Sequence, residues 1–115
     1  MEPLVSEPGE GEVFARGNRT ITIRVDHPDV SVLEIAFDGT FVVDPHTHDD
    51  HVDSFYVLEG EVEFTVGDRL LVAGPGAVVV APRGTRHGFR STGGEARVLN
   101  IHAPDAGFTE FIRNG

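Results

Sequence analysis

Apolar and polar residues alternate with a period of two along much of the chain, the first clear case placing Ile21, Ile23 and Val25 on one face and Thr20, Thr22 and Arg24 on the other. A second alternating set, Leu33, Ile35 and Phe37, follows a turn over Asp26 to Asp29 that contains Pro28. Period two is the signature of half-buried strands, and these two should each have one apolar face. Phe55 to Leu58 and Val62 to Val66 flank Glu59-Gly60, and Gly67-Asp68 precedes Arg69 to Val72, which predicts a meander with turn residues at both reversals. Gly74-Pro75-Gly76 marks another break. Ala77 to Ala81 is apolar at every position, so both of its faces should be covered, one by the core and the other by a further layer or subunit. His87 to Ser91 and Ala96 to His102 read as the last strands, separated by Thr92-Gly93-Gly94, and Ala106 to Arg113 is the one helix-like stretch. The pattern predicts an all-β chain with a short C-terminal helix.

With 115 residues and no apolar run long enough to cross a bilayer, a single soluble domain is expected. Residues 1–12 are acidic and rich in Pro and Gly, and are expected to form a tail or an edge strand exchanged with a partner, leaving 13–115 as the folded domain. They lack the basic and apolar regions of a secretory signal, so a cytoplasmic location is expected. The formal charge of -10 argues against nucleic acid and acidic membranes as partners. Without cysteine there is no disulfide, thiolate ligand or thiol nucleophile, and all nine basic residues are arginine, which excludes Schiff-base chemistry on a lysine. Tyr56 is the sole tyrosine; its parity is opposite to that of Asp53, so it should point outward.

The residues with the most chemistry are His46, His48, Asp53 and His87, which can offer three imidazoles and one carboxylate to a transition metal. If Val43 to His48 is extended, His46 and His48 point the same way, with Thr47 opposite. Asp53 opens the next strand after the polar turn of Asp49, Asp50 and His51, and so returns to the same place across a hairpin; His87 arrives from elsewhere in the fold. Inward parity counted from Asp53 and from His87 adds Phe55, Val57, Phe89 and Ser91 as pocket residues, giving a largely apolar pocket suited to a small organic ligand. His51 is expected at a solvated turn or the pocket rim, with substitution for Asp53 as a ligand the less favoured option, His27 at the surface, and His102 as a satisfied structural histidine. Arg83, Arg86 and Arg90 could place cations near the pocket mouth, with solvated surface roles favoured for each.

Gly76, Pro82, Gly84 and His87 form a second motif, and with Gly39, His46, His48, Asp53 and Gly60 the chain resembles the two-motif signature of the cupin superfamily across Gly39 to Ser91. The resemblance implies an antiparallel double-stranded β-helix, the jelly-roll barrel of cupins, holding a divalent metal (Fe, Mn, Ni, Zn or Cu) through His46, His48, Asp53 and His87. Three features depart from the pattern: Asp53 stands where cupins usually have Glu, Gly39 to His46 is one residue longer than usual, and Ser91 stands where Asn is common. The shorter acid leaves direct ligation, ligation through water, or a metal held by three histidines alone. Asp53 is also read as the catalytic residue, setting reactivity more than metal retention.

These features together point to a metal-binding cupin, an oxygenase-type enzyme acting on a small enolic or phenolic compound. The C-terminal Ala103-Pro104, Ala106 to Phe108 and Glu110-Phe111 are similar to the tail of small cupins related to quercetin dioxygenases. A non-catalytic sensor or storage cupin is the alternative, and a sugar isomerase or epimerase a third reading that the outward Tyr56 disfavours. A homodimer is expected from the resemblance and from Ala77 to Ala81.

Overall fold

In a computed structural model, residues 2–115 are described as ten strands and one short helix. Strands β1 (Glu12–Arg16), β2 (Arg19–His27), β3 (Val30–Phe37), β5 (Val52–Glu59), β8 (Val78–Ala81) and β10 (Ala96–Ala103) form a six-stranded antiparallel sheet in the order β1-β2-β3-β10-β5-β8. Strands β4 (Val42–His46), β6 (Val62–Val66), β7 (Arg69–Ala73) and β9 (His87–Ser91) form a second sheet in the order β4-β9-β6-β7. Helix α1 (Phe108–Asn114) follows β10. Among the described residues, no helix is long and apolar enough to cross a membrane.

The period-two pattern is realised most strictly in β3, where Leu33, Ile35 and Phe37 are buried and their neighbours are half-buried. Leu33, Val57, Val62, Phe64 and Val98, drawn from both sheets, form the driest part of the core. Burying such side chains contributes roughly 1.5–3 kcal/mol each, which makes the inward parity of every strand costly to reverse. The alternation fades at Val25, where the β2–β3 register shifts and the residue becomes half-buried.

The chain repeatedly crosses between the sheets where the sequence suggests simple reversal. β5 pairs with β10 and β8, whereas β6 pairs with β7 and β9, so Glu59-Gly60 carries the chain from one sheet to the other and only Gly67-Asp68 closes a hairpin of the expected meander. Gly60 has φ +81, and a Cβ there would collide with the backbone of Glu95 and Ala96, so the crossing depends on a residue without a side chain. β4 and β5 likewise lie in different sheets, so the segment carrying Asp49, Asp50 and His51 bridges the sheets and is not the turn of a hairpin.

Strand β8 is an edge strand: Val79 and Ala81 face the core, while Val78 and Val80 are exposed. A single chain therefore covers one face of this apolar run and leaves the other open. Residues 2–11 have no helix or strand; Arg24 anchors them, its Nε donating to Ser6 Oγ at 2.8 Å and its Nη2 to Glu7 O at 2.9 Å. β1, a strand outside the alternation described above, pairs with β2 of its own chain, with Phe14 opposite Ile21.

Candidate metal centre and its cavity

Two cross-strand pairs, one from each sheet, build the centre. His46 lies opposite His87 across β4 and β9, and Asp53 lies opposite His102 across β5 and β10. β4 stops at His46, so His48 follows the strand and is not part of it; the β4–β9 register shifts between Val43 and His46, a stretch that contains Pro45. Proline brings no N–H to a ladder, which favours such an irregularity. Gly88 makes the distorted ladder fit, since a Cβ there would stand 2.5 Å from Val43 O and 2.7 Å from Pro45 N. The rings of His46 and His48 nevertheless converge, with centroids 4.5 Å apart, and His87 stands 4.6 Å from His46 and 5.3 Å from His48.

Hydrogen bonds orient these rings. His46 Nδ1 donates to Asp44 O at 2.7 Å, which leaves Nε2 with its lone pair. His87 Nδ1 donates to Thr85 O at 2.9 Å, and His87 Nε2 lies 3.0 Å from Asp53 Oδ2. Both His87 nitrogens thus face acceptors, the arrangement of an imidazolium. Burial pushes the His87 pKa down, but the bonds to Asp53 and Thr85 outweigh it and the net direction is up. For Asp53, burial acts to raise the pKa, yet hydrogen bonds from His102, His87 and Asn100 overcome it and hold the carboxyl well below the usual range. His48 moves down, chiefly by burial and then by the neighbouring His51, His46 and His87, and so favours the neutral, ligating form.

Asp53 is saturated: Oδ1 accepts from Asn100 Nδ2 at 2.6 Å and stands 3.2 Å from His102 Nε2, while Oδ2 faces His87. His51, expected at a solvated turn or the rim, is instead 5% exposed and stacked on His102, with centroids 4.6 Å apart and planes at 17°. Its Nδ1 is engaged by Asp50 Oδ1 at 2.9 Å, but its Nε2 is buried without a partner among the described residues. His102 is satisfied at Nε2, yet its Nδ1 is likewise buried and unpartnered. Both rings line the same cavity as His46, His48 and His87. Asn100, on the inward face of β10 with Val98 and His102, is a further site residue, legible from that parity.

The cavity has a volume of about 560 Å³. Phe55 and Phe89 line it, with Phe41, Phe108, Ile21 and Ile35 completing much of the apolar wall. Val57 and Ser91 are buried but do not line it: Val57 belongs to the dry core, and the Ser91 hydroxyl donates to Gly94 O beside the β9–β10 crossing. Tyr56 is exposed on the outer face. Arg83 and Arg86 are exposed and Arg90 pairs with Glu63, and none of them lines the cavity, whereas Arg16 and Arg19 do. His27 is half-buried, its Nδ1 accepting from Asp29 N.

Two overlapping donor sets could hold a metal ion: the ligand atoms of His46, His48 and His87 lie within 4.8 Å of one another, as do those of His48, His51 and Asp53. Nitrogen and carboxylate oxygen donors suit divalent transition ions. The fit is supported by the chemistry of the donor sets and by the buried, unpartnered Nε2 of His51 in the second of them.

The cupin domain model matches residues 35–102. Quercetin 2,3-dioxygenase from Bacillus subtilis (strain 168) is 27% identical over 96% of this chain, which spans about a third, 34%, of that relative's length. Among solved structures, KdgF from Halomonas sp. superposes with a TM-score of 0.78 at 25% identity, covering 86% of this chain and 91% of that one. An RmlC-like cupin from Shewanella frigidimarina NCIMB 400 also gives 0.78, at 20% identity over 90% of this chain and 92% of that one, a likeness of fold. With a family model matched over more than half of its residues and the two-sheet architecture in place, the chain belongs to the cupin family.

Proposed function

We propose that this cupin is a metal-dependent enzyme acting on a small enolic or phenolic compound by oxygenase-type chemistry. The observation that carries the reading is the convergence of three imidazoles on a cavity walled largely by aromatic and aliphatic side chains. The similarity to quercetin 2,3-dioxygenase over a third of that protein supports the same class. His46, His48 and His87 would hold a divalent ion, with Asp53 as fourth or water-bridged ligand. When bound, the ion supplies Lewis-acid charge and open coordination positions.

The chain's own residues then have definable tasks. His87 would bind the ion through Nε2 in its neutral form, the nitrogen that otherwise faces Asp53 Oδ2, while Thr85 O holds its Nδ1 proton. In the water-bridged arrangement Asp53 Oδ2 would accept a hydrogen bond from an enol or phenol hydroxyl and orient it, while Asn100 and His102 keep Oδ1 in place. Phe41, Phe55 and Phe89 pack edge to face along the cavity and give a flat ring an apolar wall that excludes water.

The test loads protein separately with Fe, Mn, Ni, Zn and Cu and offers flavonols, catechols and enediols with and without oxygen. Substrate and oxygen consumed together with at least one redox-active ion, and not by His48→Ala, is the expected result. Saturable binding without consumption under every condition would leave a binding module instead.

A further inference from the structure

Five arginines are half-buried, and Arg24, Arg97 and Arg113 each have a carboxylate partner. Arg16 and Arg19 have none within 4.0 Å among the described residues. They are also directly opposite one another, the pair that closes the β1–β2 hairpin around Gly17. Like charges facing across strands destabilise a hairpin, so this pairing is locally unfavourable in a chain that carries 19 acidic residues. Both guanidinium groups are held by aromatic faces, Arg16 at 5.0 Å over Phe14 and Arg19 at 5.2 Å over Phe41. Arg19 is braced further by Arg16 O at 3.3 Å and Asn18 Oδ1 at 3.4 Å.

Both side chains line the cavity that contains the histidine cluster. The acidic side chains that line the cavity are engaged elsewhere: Asp53 with His87, Asn100 and His102, and Asp50 with His51. The cavity therefore joins imidazoles and an engaged carboxylate to two cations with no carboxylate of the described residues within 4.0 Å of either, through an apolar wall that strengthens any ion pair formed against it. A guanidinium presents a planar fork matched to a carboxylate, and two of them form a clamp.

We infer that Arg16 and Arg19 are the anion-recognition element of this cavity and that its enolic or phenolic ligand carries a carboxylate; the inference rests on the function proposed above for the ligand's other end. The carboxylate relieves the repulsion within the hairpin as it binds, and the selectivity against neutral analogues comes from this pair.

The probes are 3,4-dihydroxycinnamate and its methyl ester, which share the catechol and differ in charge, titrated calorimetrically at low ionic strength and fixed metal content. The acid should bind the wild type at least ten times more tightly than the ester, and added salt should erode that preference. In the Arg16→Gln, Arg19→Gln double variant the acid should fall to the affinity of the ester, with the ester unchanged. Without ligand the double variant should stay folded by circular dichroism, so that acid binding lost while ester binding is kept separates recognition from a structural role. Equal binding of acid and ester by the wild type, binding of neither, or a preference retained in the double variant overturns the inference. So does sulfate abolishing acid binding at concentrations where chloride of equal ionic strength does not, which would mark a site for small inorganic anions. The function proposed above fails separately, when the probes bind but are never consumed.

Discussion

Asp53→Asn in protein stripped of metal isolates the ion pair at the heart of the site, because it removes one charge at nearly constant shape. Asp53 is 4% exposed and His87 3%, and their atoms are 3.0 Å apart. The substituted side chain still has a carbonyl to accept from Asn100 and His102, so the chief loss is the charge-assisted bond to His87. Such bonds contribute about 1.5–3 kcal/mol, and His87 can limit the damage by shedding its proton. A loss of about 2–3 kcal/mol near pH 5.5 follows. The folded Asp53 pKa lies below its unfolded value, so its contribution is present above roughly pH 4 and lost as pH falls further. The folded His87 pKa lies above its unfolded value, so its contribution is complete below about pH 6.5 and lost as pH rises through the folded value. The pair is therefore strongest between about pH 4 and 6.5. With a urea m-value of about 1–1.5 kcal/mol/M, the variant's unfolding midpoint should fall by about 2 M at pH 5.5 and by clearly less at pH 9. An equal loss at both pH values, or none at pH 5.5, would refute the ion-pair assignment.

Gly88→Ala should destabilise by more than 2 kcal/mol, on the order of overpacking against rigid backbone, and should weaken metal binding through His46, as read by urea melts and metal titration. Asp53→Glu should weaken metal retention if the short acid matches the lengthened Gly39 to His46 segment; tighter binding with unchanged chemistry would show that the departure from the family pattern has no consequence. Val78 and Val80 on edge strand β8 should lie in a homodimer interface, so that light scattering at micromolar concentration reports a dimer for the wild type and a monomer for Val80→Glu. A monomeric wild type would sink that expectation.

What the sequence could reveal depended on the range of the interaction involved. Strict alternation in β3 and the inward parity of Phe55 and Phe89 follow from backbone geometry alone, and the structure repeats them. The sheet crossings at Glu59-Gly60 and Asp49 to His51 were not legible, because a glycine-bearing turn looks the same locally whether the chain reverses within a sheet or leaves it. Contact between Gly60 and the backbone of Glu95 decides the matter, and that contact is remote in sequence. The HxH pair and His87 could be read from spacing, whereas the burial of His51 depends on His102 stacking over it from β10. Arg16 and Arg19 carry no local signal, because their place on the cavity and their lack of a carboxylate partner among the described residues appear only in the fold.

Metal content measures directly whether His46, His48 and His87 form one metal centre. Protein reconstituted with each divalent ion and dialysed should retain about one equivalent of at least one of them at pH 7.5, as neutral imidazole ligation requires. The His48→Ala, His87→Ala double variant, still folded by circular dichroism, should retain almost none. Full occupancy in that folded double variant would place the metal elsewhere.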